Sequence, residues 1–196
     1  FVIVCNTRAD VEEAERRVKL IFKRMRLELH PDKTRKVELT DGKQGFDFLG
    51  CHLHKRMSGR IWEQERKRVY FLQRWPSTPS VKRVKQRVKQ LTPPAACHRD
   101  LRETIARINP VVRGWGGYFA TGNASAKFNQ VDSYVWMRLR KLMRRRKGRN
   151  LRAGEMRRWT RKSFHQLGLH KLLGTIRYPD NAQLPRPERP PGERVN

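Results

Sequence analysis

The stretch from Ile108 to Lys147, INPVVRGWGGYFATGNASAKFNQVDSYVWMRLRKLMRRRK, limits the fold more than any other part of the chain. Phe128, Val131, Val135, Leu139 and Leu142 recur at steps of three and four, which predicts a long helix with one apolar stripe and other elements to bury it. Asn123 or Ser125 is placed to cap its start by accepting a hydrogen bond from a free backbone N–H. Lys127, Arg138, Arg140, Lys141, Arg144, Arg145, Arg146 and Lys147 occupy the remaining faces. Cations in a last turn suit the negative end of the helix dipole, but this run is denser than the dipole requires. Its like charges repel at i,i+3 and i,i+4 spacing, at a cost of roughly a few tenths of a kcal/mol per pair unless an anion offsets them. The expected partner is a polyphosphate.

The whole chain repeats that bias. Its 196 residues hold 46 Lys+Arg against 18 Asp+Glu, a formal net charge of +28, yet enough aliphatic and aromatic surface to fold. This is the composition of a folded basic protein with one core or two small ones, not of a disordered tail. Such a charge attracts nucleic acid or an anionic membrane. No apolar run approaches the roughly 20 residues of a spanning helix, and the basic helices need their apolar stripes for a shared core, so no membrane partner is expected. Cys5, Cys51 and Cys97 form no C-x-x-C pair, which points to neither a disulfide framework nor a zinc knuckle, and a reducing compartment is the default. In Cys51-His52-Leu53-His54, strand alternation puts the cysteine and the histidines on opposite faces, so no metal site is expected there.

Taken in order, Phe1–Cys5 reads as a strand buried on both faces, an odd start that suggests a chain cut from something longer. A helix follows from about Asp10, with Val11, Ala14, Val18 and Met25 on its apolar side, closed by Pro31. Val37 and Leu39 alternate as a second strand, Phe46 to Leu53 as a third, and Arg60-Ile61-Trp62 begins a fourth, giving β-α-β-β. Through Arg60 there are 14 basic and 9 acidic residues, while residues 61 to 178 hold 29 and 6, so most of the field comes from the second half. Arg74 to Pro79 reads as a joint. Ser80 caps a helix with Val81, Val84, Val88 and Leu91 on one face, another helix carries Leu101, Ile105 and Ile108, and Pro110 marks a break. From Tyr178 onward, prolines among polar residues read as a disordered tail, residues 178–196.

Four pieces in this order, Phe1–Cys5, Leu27-Glu28-Leu29-His30-Pro31-Asp32-Lys33-Thr34, Phe46-Asp47-Phe48-Leu49-Gly50 and Asn109 to Phe119, resemble the C-terminal half of group II intron reverse transcriptase/maturases. The resemblance covers about residues 1 to 177. It implies an α+β chain, with residues 1–75 as the end of the polymerase palm and residues 76–177 as an α-helical thumb, or domain X. In that family a Tyr-x-Asp-Asp turn precedes a strand like Phe1–Cys5, so the catalytic aspartates are expected upstream. This chain is then expected to bind no cofactor itself, the Mg²⁺ belonging to the intact polymerase. The implied partners are group II intron RNA and, in the parent protein, template–primer and target DNA. The implied location is cytoplasmic, with the nucleoid or a ribonucleoprotein, or else inside an organelle. The Cys-rich endonuclease module that often ends such proteins is not expected here, since no cysteine follows Leu173.

Residue by residue, Lys33 looks like the palm lysine near the incoming phosphates, an auxiliary proton donor, and its alternative is a solvated turn lysine. Phe48, Leu49 and Gly50 look like the primer grip, and read alone they are a core strand with a bulge. The expected RNA contacts are Lys82, Arg83, Lys85, Arg87 and Lys89 on one helix, and Lys127, Arg138, Lys141, Arg144, Arg145, Arg146 and Lys147 on the long one. Arg113 joins them because its guanidinium can fork onto a phosphate, as do Arg157, Arg158 and the interleaved Trp159. Trp115, Tyr118 and Phe119 read either as core or as stacking platforms. Two further readings remain open from the residues alone: a stand-alone structured-RNA-binding protein without enzymatic activity, and a basic DNA-binding module.

Overall fold

The apolar stripe of the long helix is the centre of the fold. A computed structural model describes residues 1–150 and 152–177. In chain order the elements are α1 (Arg8–Arg24), β1 (Gly45–Phe48), β2 (Cys51–Met57), α2 (Gly59–Glu65), β3 (Tyr70–Pro76), α3 (Thr78–Leu91), α4 (Leu101–Phe119), α5 (Ser125–Arg146), α6 (Ala153–Arg158) and α7 (Arg161–Gln166), with short 3₁₀ turns at Pro31–Lys33 and Pro94–His98. The described residues mix helices with one small antiparallel sheet of order β1-β2-β3. Phe128, Val131, Val135, Leu139 and Leu142 on α5 are all buried, as the periodicity requires. They pack with Val81, Val84 and Val88 of α3, Ile105, Ile108 and Val112 of α4, and Phe164 and Leu172 beyond. Among the described residues no helix is long and apolar enough to cross a membrane.

The N-terminal part departs from the β-α-β-β expectation and runs α-β-β-α-β. Phe1–Cys5 is not a strand: Phe1, Val2, Ile3 and Val4 are exposed, and the Phe1 ring meets Phe22 edge-on at 5.9 Å. A buried strand needs ladder partners on its edges, and the three strands present pair with one another. Val37 and Leu39 are half-buried but join no ladder, for the same reason. The single strand expected over Phe46 to Leu53 is a hairpin. Leu49 (φ 46°) and Gly50 (φ 78°) both lie in the left-handed region, as a two-residue turn matching strand twist demands. Arg60-Ile61-Trp62 is helical because the Ser58 hydroxyl accepts from the Ile61 N–H and opens α2. The expected joint at Arg74 to Pro79 instead holds the end of β3, paired through Cys51 and Pro76, and then the start of α3.

Three helix boundaries also shift. Ser77, not Ser80, caps α3, its hydroxyl accepting from the Ser80 N–H with Pro79 in the first turn. Pro110 does not break α4: the helix continues through it to Phe119, held by the burial of Ile108, Val112 and Phe119 on either side, which outweighs one lost backbone bond. Neither Asn123 nor Ser125 caps α5. The N-cap is Ala124, without a side-chain bond, and the Asn123 N–H donates to the Arg74 carbonyl at 2.7 Å, so this helix start is fixed by β3. The tail expected at residues 178–196 lies outside the described residues.

Candidate nucleic-acid interface

Burying the stripes of α3, α4 and α5 leaves their cations on the outside. On α3, Lys82, Arg83, Arg87 and Lys89 are exposed, while Lys85 is half-buried with its ammonium 5.6 Å from the centre of the Tyr134 ring. Arg87 donates to Gln90 at 3.1 Å. On α5, Lys141, Arg144 and Arg145 are exposed and Lys127 is half-buried. Among the described residues, Lys82, Arg83, Lys89, Lys141, Arg144 and Arg145 have no carboxylate within salt-bridge distance. No carboxylate of the described residues offsets their mutual repulsion, which is the electrostatic condition of a surface that favours an anion.

Two cations of the same run have a different task. Arg138 Nε donates to the Thr92 hydroxyl at 2.9 Å and its Nη2 to the Thr92 carbonyl. Arg146 Nε donates to the Cys97 carbonyl at 2.7 Å and its Nη2 to the Arg99 carbonyl. Both forks close the carbonyls of the loop between α3 and α4, including that of the fully buried Thr92. They are bolts between elements, and the guanidinium geometry that would grip a phosphate grips backbone instead. Lys147 is drawn towards Glu155 at 3.6 Å. Hydrogen bonds from the Arg149 side chain and the Arg152 backbone hold the Glu155 carboxyl down at about 2.

The aromatic candidates divide in the same way. Trp115 is half-buried, its Nε1 donates to the Ser80 hydroxyl at 3.2 Å, and it packs against Phe119 and Phe128. Trp159 stacks on Phe164 at 5.8 Å and 20°, and its carbonyl accepts from Trp136 Nε1 at 3.1 Å. Both act as core. Arg157 and Arg158 beside Trp159, and Arg113 on α4, are exposed. Tyr118 is 59% exposed, and its hydroxyl donates to the Leu49 carbonyl at 2.9 Å. With the Ser77 N–H donating to the Gly50 carbonyl at 2.8 Å, this pins the Phe48-Leu49-Gly50 turn against α3 and α4. Lys33 sits exposed in the 3₁₀ turn Pro31–Lys33, in the part of the chain before β1.

Sequence reasoning passed over Trp136 and Arg161. The Arg161 guanidinium donates to Asn129 at 3.1 Å and Ser133 at 2.8 Å, and it lies 5.7 Å from the Trp136 ring, whose other cation, Arg140, is at 4.6 Å. The only signal was the heptad-like offset of Asn129, Ser133 and Trp136 on one side of α5. Next to this joint, the His170 N–H donates to Asn109 Oδ1 at 2.9 Å. Burial, and then the Arg113 guanidinium, push the His170 imidazole below its ordinary value of 6.5. The folded form thus takes up this proton at lower pH than the unfolded form, so the contribution is present above pH 6.5 and is lost as the pH falls below it. Thermal melts of the wild type should show that acid-side loss, and His170→Gln should flatten it; an unchanged pH profile in the variant would exclude His170 as its source.

The buried core runs from Val81 to Leu172. The sequence profile of the group II intron, maturase-specific domain matches the chain over residues 81–172. No curated protein sequence matches the chain. Residues 81–172, whose stripes form the core and whose outer faces carry the cations described above, are thus the stretch that matches the group II intron, maturase-specific domain.

Proposed function

We propose that this chain binds structured group II intron RNA through the exposed cations of α3 and α5 and so assists the intron's folding for splicing. One observation carries the reading. On two helices whose inner faces are a packed core, Lys82, Arg83, Lys89, Lys141, Arg144 and Arg145 face outwards without a carboxylate among the described residues. Lysine and arginine there neutralise phosphates and release condensed counterions. A-form RNA hides its base edges in a deep, narrow groove, so recognition works by shape and backbone. The pinned arginines Arg138 and Arg146 keep the two helices in register, so that the outward charges present a fixed spacing.

The finer reading places the chain within a reverse transcriptase, with residues 1–75 derived from the palm, residues 76–177 as the thumb, and the Phe48-Leu49-Gly50 turn bracing a primer end. Template–primer and target DNA are then further partners, and Lys33 lies near phosphates. The pinning of that turn by Tyr118 and Ser77 supports it, since a brace has to be stiff. Among the described residues no group of three His, Cys, Asp or Glu side chains could hold a metal ion.

The test is a salt-titrated binding assay against a group II intron RNA with an unrelated duplex RNA as competitor. Preference for the intron RNA that persists as salt rises supports shape recognition. Equal affinities with the same steep slope would reduce the surface to a charge reader and sink the maturase reading for this chain.

A further inference from the structure

The three-stranded sheet carries a second surface that the helices do not use. Cross-strand partners share a face, so the register His52↔Trp75, His54↔Gln73 and Arg56↔Phe71 puts two imidazoles, an indole, a phenyl and a guanidinium on one side. Their rings are organised. His52 lies 5.1 Å from Trp75 and 5.8 Å from His54, nearly parallel to the latter at 24°, and the Arg56 guanidinium is 5.2 Å from the Trp75 ring. His52 is held by Asp47 at 2.6 Å and His54 by the Gly42 carbonyl at 3.1 Å. Gly45 on β1 makes the arrangement possible, because a Cβ there would lie 2.6 Å from His54 Nδ1 and 2.7 Å from His52 Nε2. Phe71, four residues from Trp75 on the same face, is 51% exposed.

We propose that this face binds unpaired nucleotides of RNA by base stacking, with Trp75 and Phe71 as the two steps. At ~3.3 Å per residue, the steps are about 13 Å apart along β3, and sheet aromatics in other folds stack two or three bases. Charge selects the occupant: Arg56 stands on this face, and the segment between β2 and β3 adds Trp62 with the Arg66 and Arg68 guanidinium groups 5.9 and 5.6 Å from its ring. An aliphatic protein partner would find imidazoles and guanidinium groups, which need hydrogen-bond acceptors such as phosphates and base edges. Stacking needs a splayed strand, so this face takes what the helical surface, built for duplex backbone, does not. The inference does not depend on that helical surface.

The test uses the full chain with two probes, a short oligouridylate and a blunt RNA duplex of equal length, and two variants, Phe71→Ala and Trp75→Leu, each checked by thermal melt. Base–aromatic stacking predicts about a 10-fold loss of oligouridylate affinity for Phe71→Ala, with duplex affinity within about twofold. Trp75→Leu, if folded, should lose at least as much. Unchanged oligouridylate binding in Phe71→Ala, or equal losses on both probes, would overturn the proposal. So would loss of self-association in sedimentation with oligouridylate binding intact, which would make the face a protein contact. Failure of the helical reading is separate: it would appear as duplex binding insensitive to substitution of Lys141, Arg144 and Arg145.

Discussion

Replacing Lys141, Arg144 and Arg145 together by glutamine is expected to weaken binding of structured intron RNA by on the order of 100-fold near ~0.1 M salt. Each phosphate contact contributes roughly 0.7 to 0.9 to the slope of log affinity against log salt, so losing three should flatten the slope by about 2 to 3. The melting temperature should hold or rise, because these exposed side chains meet no carboxylate among the described residues and repel one another. The contrasting variant is Arg138→Met. It leaves the carbonyl and hydroxyl of buried Thr92 without their donor, which costs about 1 to 3 kcal/mol of stability, yet it should leave the slope nearly unchanged. A full loss of slope in Arg138→Met with none in the triple variant would reverse the assignment. The Arg144–Lys147 cluster, the densest in the sequence, is therefore a poor unit for mutagenesis. Arg144 and Arg145 face outwards, Arg146 holds the Cys97 and Arg99 carbonyls, and Lys147 leans to Glu155.

Phe128→Ala is expected to destabilise the chain by about 3 to 5 kcal/mol. The ring is fully buried at the first turn of α5, 5.6 Å from Trp115, where α3, α4 and α5 meet. Truncation leaves a cavity that Trp115 cannot fill without giving up its bond to Ser80. For a chain of this length the loss corresponds to a melting temperature lowered by roughly 6 to 20 °C, measurable by circular dichroism. A drop of under about 1 kcal/mol would show that this corner repacks freely.

The second half of the chain was legible because its signals are local and periodic. The stripes of α3 and α5 were read from spacing alone, and the buried positions are those named, except that Leu91 is half-buried and Met143 is buried as well. Pro110 misled because a single-residue rule was applied where tertiary burial on both sides overrides it. The N-terminal half misled for the opposite reason. The continuous apolar run of Phe1–Cys5 and the alternation of Val37 and Leu39 say that a segment can be a strand, whereas strandedness depends on a neighbour that no local window contains. The hairpin turn at Leu49-Gly50 lacked the asparagine or aspartate that usually announces one. At the candidate site, composition counted the cations correctly but could not tell a bolt from a contact. Arg138 and Arg145 are alike in sequence, and only the position of the Thr92 carbonyl separates them.

The connection between α4 and α5 is the place where distant parts of the chain are sewn together. The Asn123 N–H reaches the Arg74 carbonyl, the Arg74 guanidinium returns to Thr121, and the Arg177 N–H donates to the Ala120 carbonyl at 2.7 Å. Gly122 allows it, since a Cβ there would sit 2.7 Å from the Arg74 carbonyl oxygen. A five-residue connection that would ordinarily be the softest point of a helical hairpin is thus a knot of three strands of chain. A protease should find it a poor substrate despite its exposed side chains. Ordering it requires segments some 50 residues apart on each side to arrive together, so amide exchange there should report the opening of the whole domain and not the fraying of a loop.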